Sequence, residues 1–186
     1  MPVSTGVRRR REGVMLRARP DNEEALEALQ AHARLVIQSA ARVLGSVSEA
    51  EDVAQDLAER LLRSPPRDVR HWPALLKTMA VNTAIDRLRR RREEPVSSEP
   101  ATEQGPPDAL DRALQAQVLR NALAQLSTRD AALYSLYYLA DLRQADIARQ
   151  LSMTPSAVGV ALHRVRQRLT ALVQAQLHTE SNGEAS

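Results

Sequence analysis

The sequence contains no cysteine and no phenylalanine, and aromatic residues make up only 2% of its 186 residues. Without cysteine the chain has no disulfide, no thiolate nucleophile and no cysteine-ligated zinc or iron–sulfur site. Strands favour aromatic and β-branched residues, whereas Ala, Leu, Arg and Gln are abundant here. The composition therefore argues against an all-β protein and predicts an all-α fold.

Long apolar runs are also absent. No segment approaches the ~20 apolar residues that a membrane-spanning helix requires, and no apolar stretch follows the first arginines as in a secretory signal. The four histidines lack metal-ligand spacing, and there is no glycine-rich nucleotide loop or inward-facing carboxylate pair. We therefore expect a cytoplasmic protein that is not an enzyme, with no membrane insertion, no metal and no cofactor.

Lysine occurs only once, at Lys77, so nearly all the positive charge is arginine. The planar guanidinium can donate two parallel hydrogen bonds to a phosphate or a base edge. The net charge of +3 conceals blocks of alternating sign, which indicate segments with different partners. The basic blocks are 1–20, 67–92 and 112–178, and the acidic blocks are 21–66 and 93–111.

Hydrophobic periodicity and proline content divide the chain into helical and non-helical segments. The predicted architecture is two small helical domains joined by a flexible, acidic, proline-rich linker, the second domain containing a helix-turn-helix. The segments are a disordered basic arm at 1–20, a domain at 21–92, the linker at 93–111, a domain at 112–177 and a disordered tail at 178–186.

Three helices are predicted in the first domain. The first runs from about Glu23 to Leu44 and ends at Gly45. A capping box of Ser48 and Glu51 opens the second. Its polar face includes Asp52, Gln55, Asp56 and Glu59.

The third predicted helix, from about Trp72 to Arg91, combines a polar stripe with a strongly basic end. The stripe consists of Thr78, Asn82, Asp86 and Arg89. Arg87–Arg92 contains five arginines, more than capping of a helix terminus needs, which favours phosphate contacts.

Four helices are predicted in the second domain, and the last two form a helix-turn-helix. Ile147, Leu151 and Val158 would hold these two helices together, and Thr154 is a good N-cap residue. The second helix of such a motif places its N-terminal half in the DNA major groove. The candidate DNA-binding residues are Thr154, Ser156, Val160, His163, Arg164, Arg166 and Gln167.

The two domains together resemble the extracytoplasmic-function sigma factors, the small two-domain class of the bacterial sigma-70 family. AEDVAQDLAERLL (50–62) resembles the core-polymerase-binding helix of that family, and WPALLKTMAVNTAIDRLRRRR (72–92) resembles the helix that follows it. Residues 119–169 resemble the promoter-distal domain. The order of the motifs and the linker between them also match.

The resemblance implies a sigma factor that binds core RNA polymerase and directs promoter recognition, promoter opening and transcription initiation. The β′ clamp helices of the polymerase would contact Asp52, Gln55, Asp56 and Glu59. The loop 64–71 would capture a flipped base of the minus-ten element. The residues implied to meet minus-ten DNA are Asn82, Asp86, Arg87, Arg89, Arg90, Arg91 and Arg92.

The second domain would read the minus-thirty-five element in the major groove and meet the polymerase β flap. The acidic linker would pass through basic polymerase channels, and an anti-sigma factor would cover the binding faces. The recognition helix departs from the family pattern, because Gly159 and Ala161 stand where lysine or arginine is usual. This departure implies weaker minus-thirty-five binding, and arginine at both positions is expected to strengthen it.

Two other functions remain open on the sequence alone. The chain could be a standalone helix-turn-helix transcriptional regulator, although the acidic helix and the linker would then have no role. It could also be a degenerate sigma-like adaptor that binds polymerase without reading the minus-thirty-five element, as Gly159 and Ala161 suggest.

Overall fold

The computed structural model describes residues 20–93 and 107–183. In these two ranges the chain forms eight α-helices and one π-helix and no strand, so the predicted all-α fold is confirmed. The first domain contains α1 (Pro20–Ala31), α2 (Ala33–Leu44), α3 (Val47–Arg63) and α4 (Trp72–Glu93). The second contains α5 (Pro107–Gln125), α6 (Thr128–Tyr134), the π-helix (Ser135–Leu139), α7 (Gln144–Gln150) and α8 (Pro155–Gly183).

The first domain has four helices, so the prediction of three was wrong. The single helix expected over 23–44 is divided at His32, whose φ of −116° and ψ of 18° are not helical. α1 packs against α3, whereas α2 packs against both α3 and α4. The one-residue break lets α1 and α2 take different directions and pack against different helices. Both helices keep the apolar spacing that predicted a single helix.

The junction between α2 and α3 is a tight turn with a cap on each side. Gly45 has a φ of 75°, and its N–H donates to the Ala41 carbonyl at 2.7 Å, which ends α2 as predicted. The Ser46 hydroxyl then accepts a hydrogen bond from the Glu49 N–H at 3.3 Å. The capping box predicted at Ser48 was therefore wrong, because Ser46 is already extended and α3 starts two residues earlier.

In the second domain, the predicted cap before α6 is confirmed, since the Ser127 hydroxyl accepts from the Asp130 N–H at 3.1 Å. The segment after α6 winds as a π-helix, with the Ala140 N–H donating to the Ser135 carbonyl at 2.8 Å. No local pattern predicted this widening of the helix.

Two boundaries differ from the prediction. The tail expected at 178–186 is helical up to Gly183, because no proline or glycine after Gly159 interrupts α8. The last residues of the predicted linker belong to α5, which starts at Pro107, a residue suited to the first helical position. The rest of the linker at 94–106 and the predicted basic arm at 1–19 lie outside the described residues.

The two domains pack directly against each other. Arg42 Nη1 lies 2.6 Å from Asp141 Oδ2 and 2.7 Å from the Leu139 carbonyl oxygen, and Lys77 Nζ lies 2.5 Å from the Ala140 carbonyl oxygen. Carbonyl groups at a helix C-terminus lack intrahelical donors and carry partial negative charge. The end of the π-helix therefore attracts two cations of the first domain.

A second set of contacts also joins the two domains. The Arg89 guanidinium of α4 contacts the Thr128 hydroxyl at the start of α6. The Arg120 guanidinium of α5 packs against Gly45, so a Cβ at Gly45 would come within 2.5 Å of Arg120 Nη1. Buried apolar residues continue from one domain into the other as a single core.

Candidate functional site

The acidic face of α3 lies opposite its buried face. Ala50, Val53, Leu57 and Leu61 are buried, which fixes the rotation of the helix. The four residues predicted to bind polymerase are all exposed: Asp52, Gln55, Asp56 and Glu59. The structure thus brings these four side chains onto one accessible surface, where Glu59 also pairs with Arg63 at 2.6 Å.

Arg87 joins this acidic face to α4. Its Nη2 lies 2.6 Å from Asp56 Oδ2, and its Nη1 lies 3.4 Å from Asp52 Oδ2 and 3.5 Å from the Glu49 carbonyl oxygen. The side chain of Arg87 is only 25% exposed. Burial by itself would lower the pKa of Arg87, but hydrogen bonds and charge from Asp56 and Asp52 outweigh it and raise that pKa.

One turn further along α4, Arg91 pairs with the Glu49 carboxylate. Burial lowers the pKa of Arg91 from its ordinary value. A groove of about 410 Å³ runs between α3 and α4 and is lined by Glu49, Asp56, Arg87, Arg90 and Arg91. Two of the five arginines at the end of α4 therefore contact carboxylates of the same domain.

The other predicted minus-ten residues on α4 differ in exposure. Asp86, Arg90 and Arg92 are exposed, and Asn82 is half-buried. Arg89 is the one that contacts the second domain, at Thr128.

The predicted polar stripe on α4 is shorter than expected. Thr78 is buried, and its hydroxyl donates to the Ala74 carbonyl at 2.8 Å. A threonine hydroxyl can donate its hydrogen bond to a carbonyl of the preceding helical turn, so threonine can be buried in a helix. The expectation that Thr78 is exposed because it is polar was therefore wrong.

A concave surface of about 850 Å³ lies beside the loop predicted to capture a base. Asp68 in this loop has a φ of 54°, in the left-handed region. The Trp72 indole N–H donates to Glu24 Oε1 at 3.1 Å, which connects the end of the loop to α1. The residues lining this surface are Glu24, Pro66, Arg67, Asp68, Val69, Arg70 and Trp72.

The helix-turn-helix predicted from the sequence is confirmed as α7, a tight turn and α8. Ser152 in the turn has a φ of 52°, and the Thr154 hydroxyl accepts from the Ala157 N–H at 3.2 Å, as predicted. The buried Asp146 carboxylate pairs with Arg143 and Arg149. The hydrogen bond from Arg143 is the main influence that lowers the pKa of Asp146, and it outweighs burial.

α8 and Thr154, which caps it, expose every residue predicted to read the minus-thirty-five element. The Val160 side chain is 59% exposed, the largest apolar group on this face. The exposed set is Thr154, Ser156, Val160, His163, Arg164, Arg166 and Gln167.

Ala161 does not belong to this exposed surface. It is buried in the packed face of α8, so the expectation that arginine there would add a DNA contact was wrong. Gly159 has more room, because the nearest atom to an added Cβ is Gln144 Oε1 at 3.8 Å. Of the two positions that depart from the family pattern, Gly159 thus has room for a side chain, whereas Ala161 is buried.

The sequence did not predict the interdomain contact, which is made mainly by Arg42, Lys77 and Asp141. They carry no local pattern, although Lys77 as the lone lysine could have drawn notice. In the described part of the chain, no group of three or more His, Asp or Glu side chains is placed to hold a metal ion. Nor is any helix there both long and apolar enough to cross a membrane.

Comparison with known protein families matches both domains. The Sigma-70 region 2 family matches residues 28–94, and the Sigma-70, region 4 family matches residues 116–169. The chain is similar to the ECF RNA polymerase sigma factor SigL of Mycobacterium tuberculosis, with 31% identity over 153 residues. That alignment covers 77% of this chain and 85% of SigL, and SigL sequences from three strains of the organism match equally.

Among solved structures, the chain is similar to the sigma factor RpoE of Bartonella quintana, determined in complex with the anti-sigma factor NepR. The TM-score is 0.47 at 21% identity, covering 82% of this chain and 95% of that one.

The family matches and the similarity to SigL place this chain in the ECF RNA polymerase sigma factors of the sigma-70 family. It is a sigma factor, which binds core RNA polymerase and directs promoter recognition. The region 2 match over 28–94 would have no counterpart in a standalone helix-turn-helix regulator.

Proposed function

We propose that this sigma factor binds core polymerase, the minus-ten element and the minus-thirty-five element through three separate surfaces. The acidic face of α3 binds the β′ clamp helices of core polymerase. The basic end of α4 and the loop 64–71 bind the minus-ten element, and α8 binds the minus-thirty-five element. The observation that carries this proposal is the pairing of an exposed acidic face with an arginine-rich helix end in one domain, beside a helix-turn-helix in the other.

The polymerase contact rests on exposure and charge. Asp52, Gln55, Asp56 and Glu59 are accessible in the free protein, so no unfolding is needed before they meet a basic partner. Complementary charge across an interface speeds association and fixes the orientation of the partners. Hydrogen-bonding side chains at the four positions would set specificity.

The minus-ten contact is assigned first to the side chains that are free to reach DNA, namely Asn82, Asp86, Arg90 and Arg92. Arg89 and Arg91 could join them once their contacts with Thr128 and Glu49 are exchanged for phosphate. The concave surface beside the loop 64–71 has polar walls and enough volume for one flipped base.

The minus-thirty-five contact is assigned to the exposed face of α8. Arg164 and Arg166 supply positive charge, while Val160 offers an apolar group that can contact a thymine methyl. An anti-sigma factor that covers these faces is implied by the family resemblance and stays a prediction.

The polymerase assignment is tested by co-elution of the purified full chain with bacterial core RNA polymerase on a sizing column. We expect the wild type to co-elute and Glu59→Lys to lose affinity. Glu27→Lys is the matched control, since it makes the same charge change on an exposed position of α1. Equal affinity of both variants would contradict the assignment of the α3 face.

The promoter assignment is tested by run-off transcription and by the yield of open complex. Asn82→Ala is expected to impair promoter opening while binding to polymerase survives, and wild-type open-complex yield would contradict the α4 assignment. A protein that binds polymerase but supports no promoter-dependent transcript would be the adaptor, the second candidate that Gly159 suggests.

A further inference from the structure

The carboxylates on one side of α3 and two arginines of α4 form a regular set of contacts. Glu49, Asp52 and Asp56 lie at positions i, i+3 and i+7 of α3, on one side of that helix. Arg87 and Arg91 lie at positions i and i+4 of α4 and face them. Arg87 is central, because it contacts both aspartates and the Glu49 carbonyl oxygen.

We propose that Arg87 is a positioning residue, which holds the acidic face of α3 in register with α4 rather than contacting minus-ten DNA. Its role is then to fix the polymerase-binding side chains relative to the helix that meets the promoter. The inference rests on the proposed function in so far as α3 is the polymerase-binding surface.

The geometry distinguishes Arg87 from its neighbours on α4. Its side chain is 25% exposed and both terminal nitrogens are engaged, whereas Arg90 is exposed and the described residues provide it with no ion pair. Moving Arg87 to a phosphate would leave Asp52 and Asp56 unneutralised beside the negatively charged DNA backbone. Carboxylates and phosphates repel each other, so it is unfavourable for Arg87 to leave the two aspartates for a phosphate.

The contact with Arg87 leaves both aspartates available to a partner. The Asp52 and Asp56 side chains remain 57% and 52% exposed. An ionised carboxylate has about four acceptor sites, so one guanidinium does not saturate it. Arg87 can therefore orient the two carboxylates while they accept further hydrogen bonds from polymerase.

Single substitutions in the full chain test the role of Arg87 through the affinity for core polymerase. Arg87→Met should weaken binding to core polymerase roughly three- to tenfold, the range expected when one member of a coupled network is removed. Arg87→Lys, which keeps the charge, should recover part of that loss. Arg90→Met is the matched control and should leave polymerase affinity unchanged while weakening promoter binding.

A double-mutant cycle separates positioning from DNA contact. When Asp52→Asn and Asp56→Asn are already present, Arg87→Met should cause almost no further loss of polymerase affinity or of promoter-complex formation by the holoenzyme. If Arg87 instead binds DNA, its removal should lower promoter-complex formation equally in both backgrounds, and this result would overturn the proposal.

The same variants distinguish failure of this inference from failure of the proposed function. If the two asparagine substitutions leave polymerase affinity unchanged, the assignment of α3 to polymerase is wrong. Urea unfolding of the same proteins then tests the role of Arg87 without polymerase. If Arg87 positions α3, the shift of the unfolding midpoint in the double variant Arg87→Met, Asp56→Asn should differ from the sum of the two single shifts. Additive effects in urea would overturn the positioning role.

Discussion

Arg42 Nη1 lies 2.6 Å from Asp141 Oδ2, and this ion pair joins α2 of the first domain to the second residue after the π-helix of the other domain. Both side chains are largely exposed, so the pair alone contributes little to stability. Its importance is its location, next to Lys77 and the carbonyl groups that end the π-helix. The two helical domains of this sigma factor are therefore in direct contact.

Removing the two cations should weaken the interdomain contact, which the shared apolar core also stabilises. The double variant Arg42→Ala, Lys77→Met leaves the end of the π-helix without its two donors. We expect a larger radius of gyration by small-angle X-ray scattering. Arg63→Ala, which removes an exposed ion pair within α3, is the control and should keep the wild-type value. An unchanged radius for the double variant would mean that apolar packing alone holds the domains together.

Gly45 and Gly159 should respond oppositely to alanine. Gly45 has a φ of 75°, and an added Cβ would displace the Arg120 guanidinium, so Gly45→Ala should lower the free energy of unfolding by about 1–2 kcal/mol. Gly159 is helical, and an added Cβ would be in ordinary van der Waals contact with Gln144 Oε1 at 3.8 Å, so Gly159→Ala should raise that free energy by up to about 1 kcal/mol. Urea unfolding of both variants gives the comparison, and a stabilised Gly45→Ala would contradict the left-handed turn.

Asp146 should make the stability of the second domain pH-dependent. Its pKa is lower in the folded protein than in the unfolded chain, so its contribution is complete above the unfolded pKa of about 4 and is lost as pH falls through the folded pKa. At pH 7 we expect Asp146→Asn to lower the free energy of unfolding by about 1–3 kcal/mol.

Thermal unfolding of wild type and Asp146→Asn between pH 7 and pH 3 tests this. The difference between the two proteins should shrink below about pH 4. Asp86→Asn, at an exposed position of α4, serves as the control and should track the wild type. A difference that stays constant across this pH range would show that the Asp146 carboxylate is not preferentially ionised in the folded state.

Arginine should be tolerated at position 159 and not at position 161. Gly159→Arg adds a cation beside Gln144 and should strengthen binding to minus-thirty-five duplex DNA, with a log–log salt slope steeper by about one. Ala161→Arg places a charge in the packed face of α8 and should cost more than about 2 kcal/mol of stability. Duplex binding at several salt concentrations and urea unfolding measure the two effects. Equal stability of both variants would be inconsistent with burial of Ala161.

Local sequence signals predicted most of the helices well, because caps and breakers act over a few residues. Gly45, Ser127 and Thr154 each perform the predicted capping or terminating role. The signals failed where a competing local solution existed. Ser46 precedes Ser48 and caps α3 first, while the break at His32 leaves the apolar periodicity intact.

The apolar spacing of a helix also predicts which of the site residues are exposed and which are buried. The exposure of Asp52, Gln55, Asp56 and Glu59 follows from the apolar spacing of α3, because burying one face of a helix turns the opposite face to solvent. Ala161 lies three residues after Val158 and four before Val165, so the apolar spacing of α8 places it on the buried face. The expectation of a DNA contact there came from the basic residue that is usual in the family at this position.

The all-α class, the helix-turn-helix and the sigma family were predictable from the amino-acid sequence, because composition, periodicity and motif order are read directly along the chain. The pairing of Arg87 with Asp52 and Asp56, and the contacts of Arg42 and Lys77 with the end of the π-helix, arise only when the helices pack together. Arg87 is 31 residues from Asp56, and Arg42 is 99 from Asp141. Charge type specifies that such groups attract, but the packing of helices against one another selects which of them meet.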